Sequence, residues 1–169
     1  MTVRGLRVHV LDLLHAPGAR RSLHDSVVWE EPLEVTAGRV PAGAEVAYDL
    51  VAEAHGTQVI VSGLVDAPWE GECRRCLGPT TGTIRTTLRE VFDRDPVEGE
   101  TWPISGDSID LAPVLAQALV LELPLAPLCR PDCQGPDPER FPAQVEADDT
   151  EAEPPRDPRW AALDQLRFD

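Results

Sequence analysis

Two thiols at Cys-x-x-Cys spacing, in the run Trp69-Glu70-Gly71-Glu72-Cys73-Arg74-Arg75-Cys76-Leu77, close a long stretch of strand-like sequence. A second pair, Cys129 and Cys133, follows much later. Two residues between cysteines let both sulfurs of a tight turn face one point, which suits a tetrahedral zinc ion or a reversible disulfide. Together the four could form a single four-cysteine site, and a fold that does so must bring the two pairs to one place.

The choice among thiol chemistries depends on the compartment. The N-terminus carries Arg4 and Arg7 but no apolar core long enough for a signal peptide, and no run approaches a membrane span. A cytoplasmic protein is expected. In a reducing compartment two close cysteine pairs are metal ligands or redox groups more readily than structural disulfides. A structural zinc ion is the preferred reading, although the pairs lie farther apart than in a compact zinc ribbon. A redox pair is the rival, because Arg74 and Arg75 would favour a nearby thiolate. Against it, a thioredoxin-type site sits at a helix N-terminus, whereas strands flank this one. Four unemployed thiols packed as small hydrophobes are the third reading.

Charge narrows the partners. The net charge of -15 argues against a general nucleic-acid binder, which needs a cationic surface to displace counterions from phosphates. An acidic surface favours a basic partner and steers it inward, or simply confers solubility. Every one of the 15 basic residues is Arg, so Arg in place of Lys carries no information at any single site. Arg4, Arg7, Arg20 and Arg21 make the N-terminal quarter the least acidic part of the chain. They are candidates for a local RNA or ribosome contact, with plain solvation as the alternative.

Leu6, Val8 and Val10 alternate with Arg7 and His9, the period of a half-buried strand, and Pro17-Gly18 breaks it. Leu33 to Val40 is a second strand candidate. Val46 to Ala52 is a third, with one wet face, and Gln58 to Val65 returns as its hairpin partner, with Gly63 as a candidate bulge. Thr81 to Phe92, rich in Thr, reads as a further strand, which places Cys73 and Cys76 on the connection between two antiparallel strands. Asp93 to Ser108 reads as a loop pinned by Trp102. Asp110 then caps a helix with Leu111, Val114, Leu115, Ala118 and Leu119 on one face, and Pro124 ends it. From Gly135 onward the composition turns to Pro, Asp, Glu and Ala, with too little apolar surface to repay ordering. Asp157-Pro158 then opens a short helix with Trp160 and Leu163 as anchors, too short to be stable unless it docks.

No catalytic constellation stands out. There is no phosphate-binding glycine loop and no Gly-x-Ser-x-Gly, and the four histidines lack metal spacing to one another.

Three pieces occur in order: Glu72-Cys73-Arg74-Arg75-Cys76; Ile109-Asp110-Leu111 running through Leu121-Glu122-Leu123-Pro124-Leu125 to Cys129; and Asp157-Pro158-Arg159-Trp160-Ala161-Ala162-Leu163. Over nearly the whole chain this set resembles the YceD family, the large ribosomal RNA subunit accumulation proteins. The resemblance implies a bacterial cytosolic protein needed for normal accumulation of the large-subunit (23S) ribosomal RNA. Such proteins are commonly encoded beside a small basic ribosomal protein, and no catalytic residue is assigned to them. Four-cysteine members often continue into further cysteines, as in a Gly-Leu-Cys-Pro stretch. Here Gln134-Gly135-Pro136-Asp137-Pro138 stands instead, leaving thiols for one ion.

The expected architecture is an α+β domain over residues 1–134. It holds an antiparallel sheet or partly open barrel of about five strands with one packed helix, and Cys73, Cys76, Cys129 and Cys133 as candidate Zn2+ ligands. An acidic disordered linker over 135–156 and a short docking helix over 157–169 follow. The expected function is non-enzymatic support of large-subunit RNA accumulation, through a basic ribosomal protein or a large-subunit assembly intermediate. Direct RNA contact is open, and neither a membrane nor a small-molecule substrate is expected. Partner contacts are assigned to Trp160, Leu163, Arg4, Arg7, Arg20 and Arg21. The alternative is a thiol-disulfide redox or redox-sensing protein using the Cys-x-x-Cys pair.

Overall fold

The computed structural model describes residues 6–16 and 18–141. Arg4, most of the expected linker and the whole expected C-terminal helix, with Trp160 and Leu163, lie outside the described residues.

The chain runs β1 (Arg7–His9), α1 (Leu11–Leu14), β2 (Arg20–Val28), β3 (Leu33–Glu34), β4 (Gly38–Val40), β5 (Glu45–His55), β6 (Gln58–Glu72), β7 (Pro79–Asp93), β8 (Trp102–Pro103), β9 (Ser108–Asp110) and α2 (Ala112–Glu122). The fold is α+β, as expected. A seven-stranded, curled sheet follows the order β2-β5-β6-β4-β3, with β7 on β6 and β8 on β7. Its pairings are antiparallel except for the short parallel contact of β7 with β8. β1 and β9 form a separate two-stranded antiparallel ribbon.

The period-2 segments become strands because each buries one row. On β5, Val46, Leu50, Ala52 and Ala54 face the core, and on β6 Val59, Val61, Val65 and Ala67 do. β7 buries Ile84, Leu88 and Phe92 at a spacing of four. Between them, on the same side, Thr86 and Glu90 are half-buried, and Glu90 is satisfied by the Trp102 indole N–H at 2.9 Å. Trp102 therefore pins the 94–108 segment as expected, adding the short β8 to what reads as a loop.

Helix α2 covers this core with Ala112, Val114, Leu115, Ala116 and Leu119. The Asp110 carboxylate accepts the Ala112 N–H at 3.0 Å and so satisfies one orphan donor of the first turn. Leu123, preceding Pro124, is forced out of the helical region at φ -58, ψ 133, and the helix stops there.

Two sequence expectations need correction, and one strand has no counterpart in the sequence pattern. Arg20–Val28, with no apolar period, is a nine-residue strand paired along its whole length with β5. None of its residues is fully buried; Leu23 and Val27 pack half-buried against the core, and backbone pairing at a sheet edge supplies the rest of its definition. Leu33 to Val40 is not one strand but the tight pair β3–β4. Gly63 is not a bulge, since the registers Leu50↔Gly63 and Gly63↔Leu88 continue unbroken on both sides. What requires glycine there is close approach: at φ +151 a Cβ would overlap the Asp49 carbonyl oxygen.

Candidate metal centre

β6 and β7 pair from Val59↔Phe92 to Glu72↔Pro79, so residues 73–78 form the tip of a long hairpin. The tip is a tight knuckle. The Cys73 N–H donates to Gly78 O at 2.8 Å and the Leu77 N–H to Cys73 O at 2.9 Å, with Leu77 in the left-handed region at φ 58. Both cysteines of the first pair thus lie on the connection between antiparallel strands. The second pair arrives by another route: after α2 the chain passes Pro124 and Pro127, and the Arg74 N–H donates to Pro127 O at 2.9 Å, tying the α2 exit to the knuckle. A turn with the Cys133 N–H on Arg130 O at 3.2 Å brings Cys133 back beside Cys129.

The four sulfurs converge within 4.8 Å of one another. Cys73 Sγ lies 3.8 Å from Cys133 Sγ, and Cys76 Sγ lies 3.8 Å from Cys129 Sγ. A zinc–sulfur bond of about 2.3 Å in a tetrahedral site requires sulfur separations of about 3.8 Å. The donor set and its spacing therefore fit such an ion, and the four cysteines could hold a metal. All four are free thiols, Cys73 and Cys133 buried, Cys76 half-buried and Cys129 exposed.

Backbone donors shape the chemistry of Cys73. The N–H groups of Cys76, Cys129 and Arg75, in that order of importance with burial opposing, pull its thiol from near 9 down to about 5. Cys129 is pushed up to about 12, first by its hydrogen bond with Cys133 and then by desolvation and by Cys73 and Cys76. Without a cation the cluster thus holds one ready thiolate beside a thiol that resists ionising, as expected when like charges crowd together. A bound dication removes that conflict by neutralising the thiolates.

Arg75 matters here in a way its charge alone does not suggest. The sequence reading has Arg74 and Arg75 lowering a thiol pKa through their guanidinium groups. In the structure it is the backbone N–H of Arg75 that acts on Cys73. The Arg75 guanidinium instead donates to Pro131 O at 3.1 Å and Cys133 O at 2.8 Å, buttressing the second ligand loop from the first. The only sequence signal for this role is a basic residue between two candidate ligands.

Of the four N-terminal arginines, Arg7, Arg20 and Arg21 lie within the described residues. Arg20 pairs with Glu53 across the β2–β5 ladder at 2.9 Å. Arg21 binds the Asp12 carboxylate and the His9 carbonyl oxygen, anchoring α1 and β1 to β2. Arg7 is exposed on β1.

The family model described as "Large ribosomal RNA subunit accumulation protein YceD" matches residues 61–167, a span that contains all four cysteines. Uncharacterized proteins of Mycobacterium bovis and Mycobacterium tuberculosis are each 33% identical over 168 residues, covering 95% of this chain and 81% of theirs. An uncharacterized protein of Mycobacterium leprae is 32% identical over 126 residues, covering 70% of this chain and 58% of its own. No solved structure matches the chain. With most of its length matched, the chain belongs to the YceD family of large ribosomal RNA subunit accumulation proteins.

Proposed function

We propose that the protein is a non-enzymatic, cytoplasmic factor of large-subunit ribosome biogenesis. It supports accumulation of the large-subunit RNA by holding a basic ribosomal protein or an assembly intermediate that contains one. Family membership is the observation that carries this reading. The net charge of -15 supports a cationic protein as the bound component over bare RNA, since an acidic surface repels phosphates.

In this reading Cys73, Cys76, Cys129 and Cys133 hold one structural Zn2+. Four protein thiolates close a tetrahedral ion's coordination sphere and leave no position for water or substrate, which suits a structural role. The metal then locks the β6–β7 hairpin tip to the segment after α2. Arg7, together with Arg4, Trp160 and Leu163 outside the described residues, supplies further partner contacts. Arg20 and Arg21 contribute only where a partner displaces their internal carboxylates.

A second reading has one observation in its favour: a Cys73 thiol pulled down to about 5 is ionised at neutral pH, as a redox-active cysteine must be. Sulfur contacts of 3.8 Å, however, also run between the two pairs, Cys73 to Cys133 and Cys76 to Cys129, with all four sulfurs within 4.8 Å of one another. That arrangement suits a shared ion better than a Cys73–Cys76 disulfide.

The test is retention of basic polypeptides by the immobilised protein. Binding that weakens with salt and survives ribonuclease supports a protein partner. A complex abolished by ribonuclease would point to RNA instead.

A further inference from the structure

The cysteine cluster is unevenly covered. Cys73 and Cys133 are 0% and 3% exposed, whereas Cys76 is half-buried and Cys129 is exposed. The contact of Cys73 Sγ with Cys133 Sγ is accordingly buried, and that of Cys76 Sγ with Cys129 Sγ, also 3.8 Å long, is open to solvent. The flank of Cys76 is thinly covered as well. Gly78 puts no side chain there, and a Cβ at that position would stand 3.4 Å from Cys76 Sγ.

The inner half is protected in a second way. Cys73 Sγ accepts the N–H groups of Cys76, Cys129 and Arg75, and bonds that stabilise a thiolate also lower its nucleophilicity. Cys133 is fixed through its carbonyl oxygen by the Arg75 guanidinium at 2.8 Å. With a dication bound, all four sulfurs are thiolates, so exposure and freedom from such donors decide which of them a small oxidant reaches first. Both criteria select the outer half.

We propose that Cys129 and Cys76 form a site of reversible oxidation by a hydroperoxide, at which a disulfide closes across the two pairs and the zinc ion is given up. The proposal rests on the structural-zinc reading given above and assigns its regulation. The exposed Cys129 thiolate attacks one oxygen of hydrogen peroxide, and the O–O bond breaks. Cys129 becomes a sulfenic acid, and the departing hydroxide takes a proton to leave as water. The Cys76 thiolate then attacks Cys129 Sγ and expels a second hydroxide, which is also protonated to water. Two electrons pass from the two sulfurs to the peroxide, and two protons are consumed.

Cys73 and Cys133 are then the only donors left, too few to close a tetrahedral coordination sphere. The new bond nevertheless joins the hairpin tip to the segment after α2, the same two parts that the four-thiolate site joins. The domain therefore stays folded when the ion leaves, and a thiol reductant reverses the step.

Zinc-loaded full chain treated with limiting hydrogen peroxide tests this. Released metal is read with a colorimetric chelator, and thiols are mapped by alkylation and peptide mass spectrometry. The expected result is zinc release in step with a first disulfide between Cys76 and Cys129, while Cys73 and Cys133 remain open to alkylation in the denatured chain. Dithiothreitol and fresh zinc should restore the loaded form, and the oxidised protein should melt above the metal-free reduced protein. Cys129→His, which keeps a nitrogen ligand and removes the oxidisable sulfur, should slow peroxide-driven release by at least about tenfold. A first disulfide within either pair, or sulfinic acid without any disulfide, would overturn the proposal. The mapping is made on the wild-type chain, so it decides the matter even where the histidine variant does not fold. Zinc kept under peroxide would remove the switch and leave the structural ion in place. A reduced protein that takes up no zinc would remove both.

Discussion

Cys73 and Cys133, sixty residues apart in the chain, place their sulfurs 3.8 Å from each other in the buried half of the cysteine cluster. This contact joins the hairpin tip to the segment after α2, so whatever stabilises it also ties the sheet to its covering helix. A metal bound there should raise the stability of the whole domain rather than of one loop.

The first prediction is metal content. Reduced, purified protein should carry one zinc per chain by elemental analysis, and removal by a chelator should lower the melting temperature. Substoichiometric zinc that cannot be restored by adding the ion would leave the four sulfurs without this role.

A second prediction follows from the thiol ionisation. Cys73 has a folded-state pKa lowered from near 9 to about 5. Its contribution to the stability of the metal-free protein is therefore present above about 9 and is lost progressively as pH falls towards and through about 5. Cys129, raised to about 12, favours the protonated form, so its contribution is constant below about 9 and does not disturb that window. Metal-free reduced protein should accordingly lose melting temperature between pH 8 and pH 5, and Cys73→Ser should flatten that slope. Zinc binding should release protons and tighten as pH rises, measured by chelator competition.

Arg75→Ala is the third. Removing both guanidinium hydrogen bonds to Pro131 O and Cys133 O frees the second ligand loop, and zinc affinity should fall by about tenfold. Both bonds come from Nη1 alone, so Arg75→Lys, whose ammonium also carries several N–H donors on one nitrogen, should recover much of it. Unchanged affinity in Arg75→Ala would mean the loop is held without it.

The fourth concerns the sheet. Gly63→Ala places a Cβ in overlap with Asp49 O and 2.8 Å from the Leu50 Cα, at a φ of +151. It should cost roughly 3 kcal/mol or more in urea unfolding. A cost below about 1 kcal/mol would show that β5 and β6 can part locally, as a tolerated bulge would allow.

What could be read from the sequence depended on whether burial fixed an element. β5, β6, β7 and α2 bury regular rows, so their periods appear in the residues, and the hairpin position of Cys73 and Cys76 follows from the strands on either side. β2 was illegible because Arg20 to Val28 buries no complete side chain. Its partner β5 supplies the hydrogen bonds that define it. Trp29, fully buried at the end of β2, gives no signal for a similar reason, since an isolated tryptophan carries no period. At the cysteines, residue type and spacing announced the donor set. The meeting of the two pairs depended on tertiary contacts such as Arg74 N–H to Pro127 O that no local pattern encodes.

The most direct test of the functional account is the ratio of large- to small-subunit ribosomal RNA in cells depleted of this protein and complemented with wild type or with Cys73→Ser/Cys133→Ser. The account predicts that depletion lowers the ratio, that wild type restores it, and that the double variant restores it poorly. An unchanged ratio on depletion would contradict it.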